Sequence, residues 1–274
     1  MRRLTDDMKQ HWSEQGYLHL KGVLGADQIT QYLAATDEVV AQYRQANRDA
    51  REQTAHNIVR TVEQSPAFDS LIDHPGSFGV IVDLLGPYIQ LMGTVIYVRF
   101  ASQKRDMPFD WHTDGGAALR DIHLAPDSRP LNFKVQYFLT DIAAENRANF
   151  CLVPGSHRRP FPEGGLGKGV WPEGGIQLLA EAGDAAIFPH GLWHAVTPNQ
   201  GESARRSVTF RYGQMWSRPW DYEKAPQAVL ARLSRRQRRL MGDMGPAYNP
   251  SDFFNPKDQL EIILDGIDPA PAGP

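Results

Sequence analysis

Apolar positions in the first 87 residues repeat at helical spacing. Thr5 before Asp6 and Asp7 has the form of an N-cap with acidic first-turn residues, opening a short helix through His11, Trp12 and Glu14. Gly16 ends it, and Tyr17-Leu18-His19-Leu20 reads as a short strand. A second helix, DQITQYLAATDEVVAQYRQA, carries Ile29, Tyr32, Leu33, Val39 and Val40 on a helical repeat. Residues 45–58 are polar and charged and read as a lid-like segment. Further helical stretches run through Phe68, Leu71 and Ile72 and through SFGVIVDLLG, which Gly86-Pro87 stops.

Near residue 88 the period changes. YIQLMGTVIYVRF is rich in β-formers, and LNFKVQYFLTD places Phe133, Val135, Tyr137 and Leu139 at every second position. NFCLVP, DAAIFP and RSVTFRYG follow as short strands between Gly/Pro-rich turns, including the long loop SHRRPFPEGGLGKGVWPEGG. Many short strands spaced by turns point to a sandwich or double-sheet barrel. Helical character returns in APQAVLARLSRRQRRLMG, before a Pro/Asp-rich tail. No linker divides the chain. The expectation is one domain over 1–274, mainly β with flanking helices: a helical region over 1–87, a β core over 88–215 and a helical extension over 216–274.

Composition narrows the function classes. A net charge of -3 gives no global attraction to nucleic acid, and the RRQRR cluster reads as a solvated helix face. One cysteine, Cys151, excludes an internal disulfide and any Cys-rich metal site. The N-terminal residues lack the apolar core of a secretory signal, and no apolar run reaches the roughly 20 residues that span a bilayer. A cytoplasmic protein with neither a nucleic-acid nor a membrane partner is expected; the oligomeric state is not readable.

The chemistry concentrates in FDWHTDGG and PHGLWHA. His112 and Asp114 stand two apart, so an extended backbone puts both on one side and sends Trp111 and Thr113 away. Alone, the pair reads more readily as a hydrogen-bonded turn than as a metal site. A third ligand is offered by His190 or His194, 80 residues beyond Asp114 in the case of His194. Two imidazoles and one carboxylate on one face of Fe(II) leave the other face open for a bidentate cosubstrate and O2. Arg205 lies eleven residues beyond His194 and has the fork geometry that binds the distal carboxylate of a 2-oxo diacid. Alternation puts Arg205, Ser207 and Thr209 on one face of their strand and Arg206, Val208 and Phe210 on the other, without saying which faces inward.

Together WHTDGG, VQYFLTD, LVPGSH, GDAAIFPH, His194 and Arg205 resemble the phytanoyl-CoA dioxygenase-like family over roughly residues 5–215. The resemblance implies a double-stranded β-helix (jelly-roll, cupin-like) core and a dioxygenase using Fe(II), with 2-oxoglutarate and O2 as cosubstrates. Such an enzyme oxidises an unactivated C–H bond and releases succinate and CO2. Position by position it implies His112, Asp114 and His194 as metal ligands and Arg205 as the partner of the 2-oxoglutarate C5 carboxylate. Gln136 falls where the family places a Trp or polar residue beside the cosubstrate. Relatives that halogenate replace the carboxylate, so the presence of Asp114 points to hydroxylation. One segment departs from the pattern: where Asn-Gly usually precedes PGSH, this chain reads Glu145-Asn146-Arg147-Ala148-Asn149-Phe150.

Arg99, Trp216 and Arg218 are candidates for substrate contact, against ordinary readings as strand charge or rim residues. His157 is expected to organise the PGSH loop, and His11, His19, His56, His74 and His123 are expected to be ordinary. Nothing demands a CoA thioester, so a free small molecule of secondary metabolism is the expected substrate. Two other classes stay open. A binding jelly roll without turnover would show no decarboxylation of 2-oxoglutarate, and a metal-dependent isomerase or hydrolase would have no use for Arg205.

Overall fold

A computed structural model describes residues 1–102, 110–120, 122, 128–246 and 248–267. Phe109, His123 and the end of the C-terminal tail lie outside them. Among the described residues nine strands form two antiparallel sheets: β1 (Leu18–Leu20), β2 (Ala55–Val59), β3 (Ile89–Arg99), β4 (Asn132–Phe138), β5 (Phe150–Leu152), β6 (Ile176–Gln177), β7 (Ala185–Pro189), β8 (His194–Val196) and β9 (Arg205–Gln214). The larger sheet has the order β1-β7-β4-β9-β3-β2 and the smaller β6-β5-β8. From β4 onward the chain crosses repeatedly between them, which is the double-stranded β-helix expected.

Strand alternation explains which face does what. Phe133, Val135 and Tyr137 of β4, Ile187 of β7, Val208, Phe210 and Tyr212 of β9, and Ile96 and Val98 of β3 all belong to one apolar core. That core is closed by the helices Ala26–Ala46 and Phe78–Leu85 and by Val229, Leu240 and Ile263 of the C-terminal extension. Burial of each large side chain contributes about 1.5–3 kcal/mol. Polar ties fix the layer: Tyr212 donates to the carbonyls of Leu71 (3.2 Å) and Ile72 (2.9 Å), and the Tyr137 and Ser77 hydroxyls pair at 2.7 Å. The opposite face meets the smaller sheet through Phe138, Ala186, Phe188, Phe150 and Leu152. The rest of it is polar: Lys134, Gln136, Arg205, Ser207, Thr209 and Arg211 are nearly buried there.

Several local expectations are corrected. Residues 45–58 are not simply a lid, because a 3-10 turn at Arg48–Arg51 leads into β2, which forms a sheet edge against β3. Only His56 and Ile58 of β2 are buried, too short an alternation to read in sequence. The N-terminal region thus supplies strands to both edges of the larger sheet as well as helices. The stretch through Phe68 and Leu71 is 3-10, opening at Pro66, and the C-terminal helical stretch breaks into Gln227–Leu230 and Arg235–Leu240. Ser234 caps the second of these. Four of its arginines are ion-paired, Arg235 with Glu261, Arg236 with Asp73, Arg238 with Asp243 and Arg239 with Asp258, and Arg236 and Arg239 are nearly buried, so the RRQRR cluster is only in part a solvated face. Among the described residues no helix is long and apolar enough to cross a membrane.

Candidate active site

His112 and His194 face each other across an isolated antiparallel bridge, each amide donating to the other's carbonyl at 3.0 Å. His112 thereby extends the smaller sheet beyond β8. One rung further, the Asp114 amide donates to the His190 carbonyl at 2.8 Å. Alternation then puts the side chains of His112 and Asp114 on one side, while Trp111 goes outward to Cys151, Val153, Trp193 and Ala195. The PGSH turn holds the other side of this arrangement. Gly155 adopts a left-handed φ of 75°, and the Ser156 hydroxyl accepts from the Trp193 amide at 2.9 Å, next to His194.

The ligand atoms of His112, Asp114 and His194 lie within 4.8 Å of one another. His112 Nδ1 is 3.0 Å from the Asp110 carbonyl and His194 Nδ1 is 2.8 Å from the Leu192 carbonyl. A carbonyl only accepts, so each Nδ1 carries the proton and each Nε2 presents a lone pair. Burial pushes the His194 imidazolium down to about 3, keeping the ring neutral. Burial alone would raise the Asp114 carboxyl, but Lys134, His194 and Arg211 hold it well below the usual range. His112 is exposed while the other two are buried, so the cluster opens to one side.

A cavity of about 180 Å³ adjoins it, lined among others by Asn57, Tyr97, Arg99, Lys134, Gln136, Arg205 and Thr209 together with both histidines. Arg205 is held by the Ala148 carbonyl (2.9 Å) and the Ser207 hydroxyl (2.7 Å), to which Gln136 also donates at 3.1 Å. Burial, and then Arg99, push the Arg205 guanidinium down to about 9, and it has no carboxylate partner among the described residues. Among the described residues Thr209 Oγ1 is buried without a hydrogen-bond partner. Arg206 points the other way and pairs with Asp37 at 2.7 Å. The divergent segment before PGSH still makes a tight turn, with Asn146 and Ala148 at positive φ. Asn149 supports it by accepting from the Arg147 amide and donating to the Ala144 and Leu178 carbonyls.

Arg99 lines this cavity and a neighbouring one of about 230 Å³ that also touches His112, Asp110, Ser102 and Asn199. Its Nη1 donates to the His56 and Val98 carbonyls, and no carboxylate pairs with it among the described residues. Trp216 and Arg218 instead line a cavity of about 400 Å³ in the C-terminal extension, with Tyr222, Met241 and Phe253 and none of the triad. His190 is buried and stays outside the ligand cluster; the His157 ring packs against Gly16. Sequence reasoning missed Lys134, Arg211 and Trp220. Lys134 Nζ is 2.7 Å and Arg211 Nη2 3.2 Å from Asp114 Oδ1, and the Trp220 indole covers the Arg211 guanidinium at 3.6 Å.

A family model described as phytanoyl-CoA dioxygenase (PhyH) matches residues 12–207. Among solved structures, HygX from Streptomyces hygroscopicus with nickel and 2-oxoglutarate bound aligns with TM-score 0.65 and 19% identity, over 80% of this chain and 90% of that one. The non-heme alpha ketoglutarate dependent carbocyclase SnoK from nogalamycin biosynthesis aligns with TM-score 0.62 and 25% identity, over 84% and 91%. The epimerase SnoN from the same biosynthesis aligns with TM-score 0.60 and 20% identity, over 77% and 80%.

Proposed function

The chain belongs to the phytanoyl-CoA dioxygenase family, and on that premise we propose that it is an Fe(II)- and 2-oxoglutarate-dependent dioxygenase acting on an unactivated C–H bond of a small molecule. The observation that carries this is the donor set itself. Two imidazoles with their Nε2 lone pairs free and one carboxylate share a side, a set suited to a facially open ferrous site. Their neighbour Arg205 is buried and has no carboxylate partner among the described residues.

His112, Asp114 and His194 would hold the metal. Arg205 would take the C5 carboxylate of 2-oxoglutarate, helped by the unpartnered Thr209 hydroxyl, while Gln136 steadies Ser207 beneath it. When bound, Fe(II) with 2-oxoglutarate and O2 supplies the oxidising chemistry and yields succinate and CO2. The chain's own part is orientation and exclusion. The two carbonyl-bound Nδ1–H groups fix both ring tautomers, and Phe150 and Phe188, packed against His194, keep water from that side of the site. Arg99, which lines both cavities, would receive an anionic group of the substrate.

HygX has been solved with hygromycin B and SnoN with nogalamycin RO. These precedents support a natural-product substrate here too. Succinate release from 2-oxoglutarate, measured aerobically with Fe(II) and a reductant, tests the proposal. Wild type should turn over slowly without substrate, and His194→Ala should fall to background. Equal rates in the two proteins would refute it, and absence of succinate under every substrate screened would favour a binding jelly roll.

A further inference from the structure

The carboxylate of Asp114 is braced by two cations that a divalent metal site does not need. Lys134 on β4 and Arg211 on β9 are direct cross-strand partners. Like charges in that position repel, and here they are reconciled by sharing Asp114 Oδ1, at 2.7 and 3.2 Å. Both side chains are nearly buried, at 13% and 7% exposure, so solvent and salt screen them little.

The fold goes to some length to keep Arg211 there. Opposite it on β3 stands Gly93, just past a slip in register at Met92. A Cβ at Gly93 would come within 3.0 Å of the Asp221 carboxylate. With none present, the segment after β9 returns across the strand. The Trp220 amide donates to the Met92 carbonyl and the Thr94 amide to Asp221 Oδ2, each at 2.6 Å. This places the half-exposed Trp220 indole over the Arg211 guanidinium, whose Nη1 is buried without a hydrogen-bond partner among the described residues.

We propose that Lys134 and Arg211, the latter secured by Trp220, are positioning residues that add a charge-based coupling to the interdependence of metal and cosubstrate that direct chelation already gives. The inference rests on the assignment of Asp114 as a metal ligand. A divalent cation arriving alone meets one carboxylate already facing two cations, with Arg99 and Arg205 close by. Coulomb repulsion in this buried setting weakens its binding. The dianionic 2-oxoglutarate supplies the missing negative charge, so each ligand raises the other's affinity by the same factor. The site thus resists loading with metal in the absence of cosubstrate.

The test is the affinity for Ni(II), measured by competition with a fluorescent chelator, with and without saturating 2-oxoglutarate. Lys134→Met and Arg211→Met remove charge at similar length, and Arg211→Lys retains it. Both methionine variants should bind Ni(II) alone about tenfold or more tightly than wild type, with the enhancement by 2-oxoglutarate reduced by a similar factor. Arg211→Lys should resemble wild type, and Trp220→Ala should shift in the methionine direction by less. Should Arg211→Met not fold, Lys134→Met decides alone. Unchanged or weaker Ni(II) binding in a folded Lys134→Met, with wild-type enhancement, would overturn the proposal. His194→Ala separates this failure from failure of the site assignment: if it binds Ni(II) as wild type does, the triad is not the metal site.

Discussion

Arg205 and Arg206 are neighbours with opposite fates. Alternation sends Arg205 inward to the cavity beside the triad and Arg206 outward to Asp37 on the helix Ala26–Ala46. On the proposed function, replacing Arg205 by Met would remove a charged partner for 2-oxoglutarate and should weaken its binding by about 10- to 100-fold. Arg206→Met should leave that affinity alone and cost at most about 1 kcal/mol, since the Asp37 pair is partly exposed. Calorimetric titration of 2-oxoglutarate into the metal-loaded variants measures both, and equal losses would contradict the assignment. In the sequence the two residues were separable only through resemblance to a family register. Physical pattern alone could not choose, because the inner face of this sheet is itself polar. His190 and His194 posed a similar ambiguity, and the backbone resolves it: His190 serves Asp114 through its carbonyl, while His194 contributes its ring.

At the scale of elements, β4 shows what the hydrophobic pattern does and does not reveal. Its apolar face was legible as Phe133, Val135 and Tyr137, and these do enter the main core. The alternate positions Lys134 and Gln136 look like a solvent face, yet both line the interior of the barrel. Period two identifies two faces but not which of them is wet. The brace on Asp114 was hidden for the same reason, and because a register slip at Met92 leaves no mark in sequence beyond the glycine beside it. The separation of faces can be tested from the outer side. Tyr137→Phe removes the buried bond to Ser77 and should destabilise the protein by about 1–2 kcal/mol, seen as a lower urea midpoint with an unchanged slope. Cosubstrate affinity should not move, since Tyr137 points away from the cavity. Loss of that affinity, or no loss of stability, would show that the two faces are not independent.

Across the whole molecule, the site depends on bringing together segments far apart in the chain. His112 and Asp114 belong to a segment that joins the smaller sheet by a single bridge, His194 begins β8, and Arg205 begins β9 in the other sheet. Strands from the first 59 residues close both edges of the larger sheet, and the C-terminal extension seals part of its outer core. The class of fold was readable from short strands and turns. The edge strands were not, because three to five half-buried residues carry too little periodicity.

On the proposed function, this assembly would hold Fe(II) on His112, Asp114 and His194 and the chelating 2-oxoglutarate against Arg205. Its most direct test is an anaerobic titration of metal-free protein with Fe(II) and then 2-oxoglutarate, followed by visible absorption. A metal-to-ligand charge-transfer band should appear in wild type, vanish in His194→Ala and require far more 2-oxoglutarate in Arg205→Ala. Folded, iron-loaded wild-type protein that forms no such band would contradict the account.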